Sequence, residues 1–583
     1  MEAMPFLQCR RGFALTVSAA TLLLPLPLLA QTPGSVERLY QDQQLREQLR
    51  NLRQQPTQRK PLIEGAPKPQ SPQPDGGTQP EQGPPIKGVQ LEGSSLFPAE
   101  QLKALQKAFI GKPASQVNLA ELQADVADWY DKAKLLAHTA PPVLAVDGIV
   151  TITVVEARLG DVRVQENKSP IRSGWAIATV LNSVGLNREF RLDKLESALL
   201  KLNDLGGVEV RSSLQPGQAP GTTDVVLTLK TRDQMLGSVA LNNHVVQYTG
   251  PYQAQGNVSF QGYLGQGEIF NVDGSYSGNV DWYGSRLLAG NASIPLTPGG
   301  LNLIGSYTFS DYRLLKEFVP DNYTGYSSIG TLGLSQVLWR RPKTNVSANW
   351  IAEVDQFVDK ILATPYSNRT NWLSRFSLQG DHQDRRFGGV GLNSGVLTFS
   401  VGSLSKNADG ENALDEQLMG AAGAWGKVNL LYDRYQTFKD SRWTLEFFAQ
   451  GQVGFSNLDG VEKMSLGWPN GVRAYPPGEA AGDSGLAGQF TARYQLAKNV
   501  VFKGFVDGGY IWKWTNWFAL AQSPGSLGLW GPGLGIDWGT RGDVLLSVDV
   551  AFPLGNNPGN INGLDSDGTN PDARVWVSLR KWL

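Results

Sequence analysis

The sequence predicts a transmembrane β-barrel of sixteen antiparallel strands, preceded by two small α+β units and an N-terminal plug helix. Two observations lead to this fold class. From residue 235 onward, short segments alternate apolar and polar residues, and no stretch after Ala30 approaches 18 uninterrupted apolar residues. An exported chain without a spanning helix is periplasmic, secreted, or built into a membrane from strands. The pattern of its strands distinguishes these three possibilities.

The composition also favours strands. Glycine (66), tryptophan (16) and tyrosine (17) are plentiful, whereas methionine (5) is scarce, as in barrels with many turns and aromatic girdles. Lys and Arg (52) balance Asp and Glu (53), so no excess of positive charge indicates a nucleic-acid binder. We therefore expect no nucleic-acid partner.

Residues 1–30 resemble a secretory signal peptide. A pair of arginines precedes an apolar run from Phe13 to Leu29, which ends at the small residue Ala30. The alternative is a membrane anchor, but the run is shorter than the roughly 20 residues of a spanning helix and contains two prolines. The single cysteine, Cys9, would leave with this segment, which excludes disulfides and thiolate chemistry in the mature chain.

Four regions are predicted between the signal peptide and the barrel. Residues 35–55 form a helix that is polar nearly all round, which suits a water-filled lumen and open solvent equally well. Residues 56–85 are rich in Pro, Gln and Gly and form an extended linker. Residues 86–158 and 159–234 are two tandem units with the same order of strand, two helices and two strands.

The elements predicted within these units follow from hydrophobic periodicity. In the first unit they are a strand at 86–91, helices at 98–110 and 118–137, and strands at 143–146 and 150–155. In the second they are a strand at 161–164, helices at 173–184 and 191–204, and strands at 208–210 and 225–229.

Residues 235–583 are predicted to form the barrel. In one segment, Trp443, Leu445 and Phe447 alternate with Thr444 and Glu446, which places one row towards lipid and one towards water. A soluble sandwich is the alternative, but its dry interior would not accommodate charged side chains on the inner face. Sixteen such segments occur, an even number that leaves both chain ends in the periplasm.

Four long connections are expected to face the outside of the cell, at 314–327, 401–420, 456–485 and 553–573. A sixteen-stranded barrel is too wide for its own side chains to fill, so an element must plug it or it conducts. The candidate plugs are the helix at 35–55 and the connection at 456–485.

Two motifs are expected to meet inside the barrel. The long connection contains Val472-Arg473-Ala474-Tyr475, and a later strand contains Phe505-Val506-Asp507-Gly508-Gly509. Asp507 lies on the lumen-facing parity of that strand, so a loop that folds inward would let Arg473 pair with it through bidentate hydrogen bonds. Asp483 and Gly485, at the end of the connection, complete the candidate residues of the loop.

These motifs resemble those of the two-partner secretion transporters, the TpsB branch of the superfamily that includes the barrel-assembly proteins. The family's Val-Arg-Gly-Tyr/Phe loop corresponds to Val472–Tyr475, and its Phe-x-Asp-x-Gly strand motif corresponds to Phe505, Asp507 and Gly509. The order of plug helix, linker, two POTRA domains and barrel is also similar over nearly the whole mature chain.

The resemblance implies an outer-membrane transporter with its POTRA domains in the periplasm. We expect it to need no cofactor. It implies that these domains recognise one large secreted partner protein in unfolded form and that Arg473 holds the loop in the pore. We expect a monomer surrounded by outer-membrane lipid. One departure is that Ala474 replaces the family glycine, so Pro476 and Pro477 would have to set the turn.

The sequence gives only weak support for catalytic or metal-binding motifs. Gly482–Gly485 matches the nucleophile motif of some serine proteases, but His138 lies in a different predicted unit, and a triad needs its base beside the serine. Asp565–Gly568 resembles the start of a calcium loop without the remaining ligands. We expect no enzymatic activity and no metal site. The competing functions are a factor that inserts other barrels and, less well supported, a passive porin.

Overall fold

The structure, a computed structural model, describes residues 62–64, 83–279, 283–315, 322–408, 411, 415, 419–516, 525–560 and 562–583. The predicted signal peptide (1–30) and plug helix (35–55) lie outside the described residues, as does most of the predicted linker. None of the helices in the described ranges has the length and hydropathy needed to cross a membrane.

Two α+β units precede the barrel. Their elements are β1 (Ile63–Glu64), β2 (Gly88–Glu92), α1 (Ala99–Phe109), α2 (Gln116–Lys132), β3 (Ala137–Thr139), β4 (Val143–Leu144), β5 (Ile149–Glu156), β6 (Arg158–Asn167), α3 (Ser173–Val184), α4 (Leu192–Asn203), β7 (Val208–Pro216) and β8 (Thr222–Thr231). The first sheet has the order β2-β5-β3, with β4 also on β5, and the second has the order β1-β7-β8-β6.

Each unit buries the apolar face of its helices against one sheet. In the first unit, Leu122 and Val126 of α2 pack with Ile152 of β5, and all three side chains are fully buried. In the second, Leu195 and Leu199 of α4 share a core with the strands. The spacing of four residues puts each helical pair on one face, which is why periodicity locates these helices.

One predicted helix boundary is wrong. The helix predicted over 118–137 ends at Lys132, because Lys134 adopts a positive φ of 59° and the Leu135 N–H turns back to the Tyr130 carbonyl at 3.0 Å. Residues 137–139 then pair with β5 as β3. The predicted linker holds a second difference, since its residues Ile63 and Glu64 form β1 in the sheet of the second unit.

The predicted sixteen-stranded barrel is confirmed, and it is closed. Its strands are β9 (Met235–Asn242), β10 (Gln253–Gln261), β11 (Ile269–Gly278), β12 (Gly284–Pro295), β13 (Leu301–Arg313), β14 (Tyr323–Arg340), β15 (Thr344–Ile361), β16 (Thr364–Asp384), β17 (Gly391–Lys406), β18 (Gly423–Thr437), β19 (Trp443–Gly454), β22 (Ser484–Ala497), β23 (Val500–Trp512), β24 (Ser526–Gly539), β25 (Val544–Ala551) and β26 (Arg574–Trp582). Neighbouring strands in the chain are antiparallel neighbours in the barrel.

The barrel closes where the first strand meets the last. Strands β9 and β26 pair over Ser238–Asn242. Beyond that point the Asn243 side chain continues the pairing, because its Oδ1 accepts from the Val577 N–H at 2.7 Å and its Nδ2 donates to the Val575 carbonyl at 2.8 Å. An amide side chain therefore takes the place of backbone hydrogen bonds just beyond the paired part of β9 and β26.

The second α+β unit contacts one end of the barrel. Arg340, at the turn between β14 and β15, forms two hydrogen bonds to the Asp204 carboxylate at 2.5 and 2.6 Å. The Gly206 N–H donates to the Gly267 carbonyl at 2.9 Å. The connections at this end are all short, and the long connections lie at the opposite, outer end.

A candidate loop site in the barrel lumen

The connection between β19 and β22 folds into the barrel. It carries a two-stranded hairpin, β20 (Met464–Ser465) and β21 (Ala481–Gly482), and all residues from 466 to 477 are buried. This is the connection that the sequence predicts at 456–485. We call it the lumen loop, with its tip at 472–475 and its stem at 456–463.

The tip is held by the pair that the motifs predict. Arg473 Nε and Nη2 each donate to one oxygen of the Asp507 carboxylate at 2.7 Å, and the Arg473 backbone N–H donates to the same carboxylate at 3.0 Å. The Arg473 side chain is 6% exposed and that of Asp507 is 0% exposed. The planar guanidinium thus meets a carboxylate in a bidentate geometry away from solvent.

Neutral groups complete the environment of Arg473. Its guanidinium lies 3.5 Å from the centre of the Phe505 ring, and its Nη2 donates to Thr491 Oγ1 at 3.0 Å. Trp576 Nε1, on the last strand, donates to the Arg473 carbonyl at 2.6 Å. The tip therefore contacts β22, β23 and β26.

Two motif glycines lie where the loop approaches the wall most closely. A Cβ on Gly485 would lie 2.8 Å from Ile511 Cγ2, and one on Gly509 would lie 2.7 Å from Leu466 Cδ2 of the loop. A wall glycine outside the motifs, Gly531, faces the Ala474 Cβ in the same way, at 2.5 Å. These positions need glycine because a Cβ would collide with the neighbouring wall strand at Gly485 and with the loop at Gly509 and Gly531.

The motif residues beside Arg473 belong to an apolar cluster. Val472 and Ala474 are fully buried and Tyr475 is 2% exposed, together with Phe505. Ala474 does not need the positive φ that a glycine permits, and the positive φ values in this loop occur later, at Gly478 and Ala480. The tip has a turn of its own, in which the Tyr475 N–H donates to the Val472 carbonyl at 3.1 Å, and a second turn follows at Pro476, whose carbonyl accepts from the Glu479 N–H at 3.2 Å.

Asp483 closes the base of the lumen loop. Its carboxylate pairs with the Lys463 ammonium at 2.8 Å and accepts hydrogen bonds from the Leu458 and Thr515 N–H groups at 3.1 and 2.8 Å. The neighbouring Ser484 Oγ accepts from the Gly454 N–H at 3.1 Å. His138 lies in β3 of the first α+β unit, so the protease-like motif and that histidine are in different domains.

A second set of ion pairs holds the stem against strands β15 and β16. Arg369 Nη1 donates to Asp459 of the stem at 2.6 Å, and its Nη2 donates to Asp359 of the wall at 3.1 Å. The side chains of all three residues are at most 6% exposed. Tyr312 also donates to the Asp359 carboxylate, at 3.0 Å.

Glu462 extends this set. It pairs with Arg375 at 3.2 Å and with Lys427 at 2.6 Å, while Arg375 also pairs with Glu353 of the wall at 3.0 Å. The Lys427 ammonium donates in addition to the Glu462 backbone carbonyl at 2.8 Å. The stem is therefore bound by shared cations, on a part of the wall different from that which holds the tip.

The arm that returns from the tip contacts the last outer connection. Glu479 accepts hydrogen bonds from Asn557 Nδ2 at 2.8 Å and from the Ser566 N–H at 2.7 Å. In the segment that resembles a calcium loop, Asp565 and Asp567 pair with the Arg574 guanidinium at 2.8 and 2.7 Å. Over the residues that the structure describes, no group of acidic, His or Cys residues is arranged to hold a metal.

The stem residues were not predicted from the sequence. Arg369 and Arg375 lie on the lumen parity of β16, and a pair of cationic side chains facing inward is the signal that could have indicated an anionic element in the lumen. The sequence did not show which acidic residues they meet, because Asp459 and Glu462 lie about 90 positions later in the chain.

Comparison with known proteins gives the family. Residues 221–537, more than half of the chain, match the model of the haemolysin secretion/activation protein family ShlB/FhaC/HecB. The chain belongs to this family. With the closed barrel, this membership places the chain in the outer membrane and its α+β units on the periplasmic side.

Individual relatives agree with this assignment. The chain is 23% identical to the outer membrane transporter CdiB of Dickeya dadantii over 484 residues, 80% of this chain and 82% of that protein. It is 23% identical to the heme/hemopexin transporter protein HuxB of Haemophilus influenzae over 497 residues, 83% and 84% of the two chains. The structure of CdiB from Escherichia coli matches the fold with a TM-score of 0.69 at 21% identity, covering 95% of this chain and 99% of that one.

Proposed function

We propose that this protein exports a large partner protein, in unfolded form, from the periplasm to the cell surface through its own pore. Family membership supports export, as do the relatives described as an outer membrane transporter and a heme/hemopexin transporter protein. No cofactor is required by this proposal, and folding of the cargo outside the cell would give transport its direction.

The observation that carries the proposal is the lumen loop. It is buried within a barrel whose sixteen strands enclose more space than their own side chains fill, and it is fixed there by noncovalent ion pairs at Arg473, Asp459 and Glu462. An extended chain can pass only if this loop shifts. Val472, Arg473, Ala474, Tyr475, Asp483 and Gly485 would keep the loop in place at rest, with Phe505, Asp507 and Gly509 as its seat on the wall.

The remaining regions receive roles in the same proposal. Residues 1–30 direct export, residues 35–55 plug the pore, and residues 56–85 link that helix to the rest. Residues 86–158 and 159–234 act as two POTRA domains that bind the cargo, and one monomer in outer-membrane lipid is sufficient.

Deletion of the gene tests this proposal, with the proteins of the culture medium and the cell surface as the readout. We expect one large protein to disappear from them and to return on complementation, while other outer-membrane barrels keep their abundance. Loss of the other barrels with unchanged secretion would show a barrel-insertion factor instead. An Asp311→Asn variant, which alters an exposed ion pair with Arg286 on the barrel, serves as the control that should complement fully.

A further inference from the structure

Two cations share one row on the outer surface of the barrel. Arg313, at the outer end of β13, lies opposite Thr324 of β14, and Thr324 lies opposite Lys360 of β15. These residues alternate with side chains that face the lumen, such as Tyr312 and Asp359, so they face outward. With neighbouring strands about 4.8 Å apart, Arg313 and Lys360 are about 10 Å apart at their backbones. We call these three residues the cation row.

Neither cation of the row is paired with a carboxylate among the described residues. Arg313 Nε donates to the side-chain oxygen of Asn322 at 2.9 Å, and the guanidinium lies 4.2 Å from the centre of the Tyr283 ring. The Lys360 ammonium lies 5.6 Å from the centre of the Tyr326 ring. Contacts with an amide and with aromatic rings orient a cation but do not neutralise it, so both charges remain available to an anion.

The uncompensated charge is confined to this part of the surface. A nearby outward cation, Arg286 of β12, is balanced by Asp311 of β13. On the barrel strands other than β12, β13 and β15, no outward-facing residue in the outer half is charged, over the part of the chain that the structure describes. The cation row is therefore a local feature and not a general property of the outer rim.

The cation row stands at the level of lipid headgroups. On the same outward face of β13, Phe309 and Tyr307 follow below Arg313, and both rings are exposed. Exposed aromatic residues of a membrane barrel mark the boundary between the hydrocarbon and the headgroups. A rise of about 3.3 Å per residue along a strand tilted by about 40° places Arg313 about 10 Å above Phe309. The two charges thus lie just outside the hydrocarbon of the outer leaflet.

A groove lies below the cation row, at the level of acyl chains. Its exposed lining residues include Leu332 of β14 and Trp372 of β16, and the small residues Ala352 and Ser374 also line it. The register places Leu332 opposite Ala352, and Ala352 opposite Ser374, so these residues cross three adjacent strands in one row. A groove bordered by large apolar side chains and open to the membrane suits an acyl chain.

We propose that Arg313 and Lys360 bind the phosphate groups of lipid A, the phosphorylated glycolipid of the outer leaflet, and that its acyl chains lie along the groove at Leu332 and Trp372. The occupant is a lipid because headgroup-level cations and an acyl-level groove share one face of a barrel in the outer membrane. It is phosphorylated because two uncompensated cations attract anionic groups. The inference goes beyond export and does not depend on it.

Binding of fluorescently labelled lipid A to the full-length protein in detergent micelles tests the site. The unaltered protein should bind lipid A with both phosphates more tightly than lipid A from which the phosphates have been removed. Arg313→Gln/Lys360→Gln should weaken binding of the phosphorylated form roughly 25-fold, because each cation near a headgroup contributes about a factor of five. Migration of the unheated protein in gel electrophoresis shows that each variant is a folded barrel.

Two further variants separate the position of the charges from their number. Arg341→Gln/Lys343→Gln removes two exposed cations from the turn between β14 and β15, at the periplasmic end of the barrel, and should leave binding unchanged. Arg313→Lys/Lys360→Arg keeps both charges of the cation row and should bind lipid A nearly as tightly as the unaltered protein.

Four results would overturn the proposal. The first is equal binding by the unaltered protein and Arg313→Gln/Lys360→Gln, and the second is an equal loss in Arg341→Gln/Lys343→Gln, which would show a general attraction between charges. The third is displacement of lipid A by inorganic phosphate alone, which would assign the cations to a free anion. The fourth is equally tight binding of phosphatidylglycerol, which would show that any anionic lipid suffices.

Discussion

The tip and the stem of the lumen loop are both held by buried ion pairs, but the charges are arranged differently. At the tip, one guanidinium, Arg473, meets one carboxylate, Asp507. At the stem, Arg369 is shared between Asp459 and Asp359, and Glu462 is shared between two cations. The tip therefore has a single ion pair, whereas at the stem Arg369, Arg375 and Glu462 each have two partners of opposite charge.

This difference predicts how each anchor fails. Removing one member of an isolated buried pair leaves an uncompensated charge, which is far more costly than losing one of several partners. The tip should therefore release in one step, and the stem should loosen by degrees. Four experiments test this contrast, in order of decreasing expected effect.

Asp507→Asn should have the largest effect. It leaves the Arg473 guanidinium buried without an anion, at a cost of about 3–5 kcal/mol to the seating of the tip. In a Val472→Cys background, labelling by a membrane-impermeant maleimide should accelerate at least about 100-fold. The exposed pair variant Asp311→Asn is the control and should leave labelling unchanged. Slow labelling of the Asp507 variant would contradict a single-contact tip.

Asp459→Asn should have a smaller effect at the stem. Arg369 retains Asp359, so the loss is about 1.5–3 kcal/mol, the range for a hydrogen bond to a charged group. Arg369→Ala should cost more, because it leaves two buried carboxylates without their cation. Leu458 is fully buried in the unaltered protein. The rate at which a cysteine at this position (Leu458→Cys) is labelled therefore measures both effects. Equal effects of the two substitutions would argue against shared charges.

Gly531→Ala tests the fit of the tip without changing any charge. The added methyl would meet the Ala474 Cβ at 2.5 Å, and overpacking of this kind costs about 1–3 kcal/mol. The double variant Gly531→Ala/Ala474→Gly should recover part of the loss, measured as the labelling rate of Val472→Cys, because the methyl also lies 2.8 Å from the Phe552 carbonyl. No recovery would show that the contact with Ala474 contributes nothing to the loss.

Trp576→Phe should have the smallest effect. It removes only the hydrogen bond from the indole to the Arg473 carbonyl, worth about 0.5–1.5 kcal/mol, and keeps an aromatic ring in place. The labelling rate of Val472→Cys should rise several-fold. A change as large as that of Asp507→Asn would indicate that the last strand, and not the ion pair, holds the tip.

The sequence was sufficient to predict the barrel and the tip. A period of two repeated over sixteen segments specifies strands and faces, so the lumen position of Asp507 follows from its parity with Lys503. The family motifs then indicate which loop residue meets it. The tip is predictable because one conspicuous cation and one conspicuous anion lie in a recognisable motif.

The ion pairs of the stem and the position of β1 could not be predicted from the sequence. Arg369 and Arg375 show by parity that they face inward, but their partners lie on a loop whose path is fixed only by the folded barrel. Strand β1 is two residues long and has no period to detect. Its position depends on an edge in a domain more than a hundred residues later in the chain.

The contact between Trp576 and Arg473 links the lumen loop to the order of assembly. Trp576 lies in β26, the strand that closes the barrel against β9, and the Asn243 side chain joins that strand immediately beside it. The Arg473 carbonyl gains this donor only when the final strand is in its place. Complete seating of the loop is thus a property of the finished ring, because the Arg473 carbonyl lacks this donor until the last strand is in place.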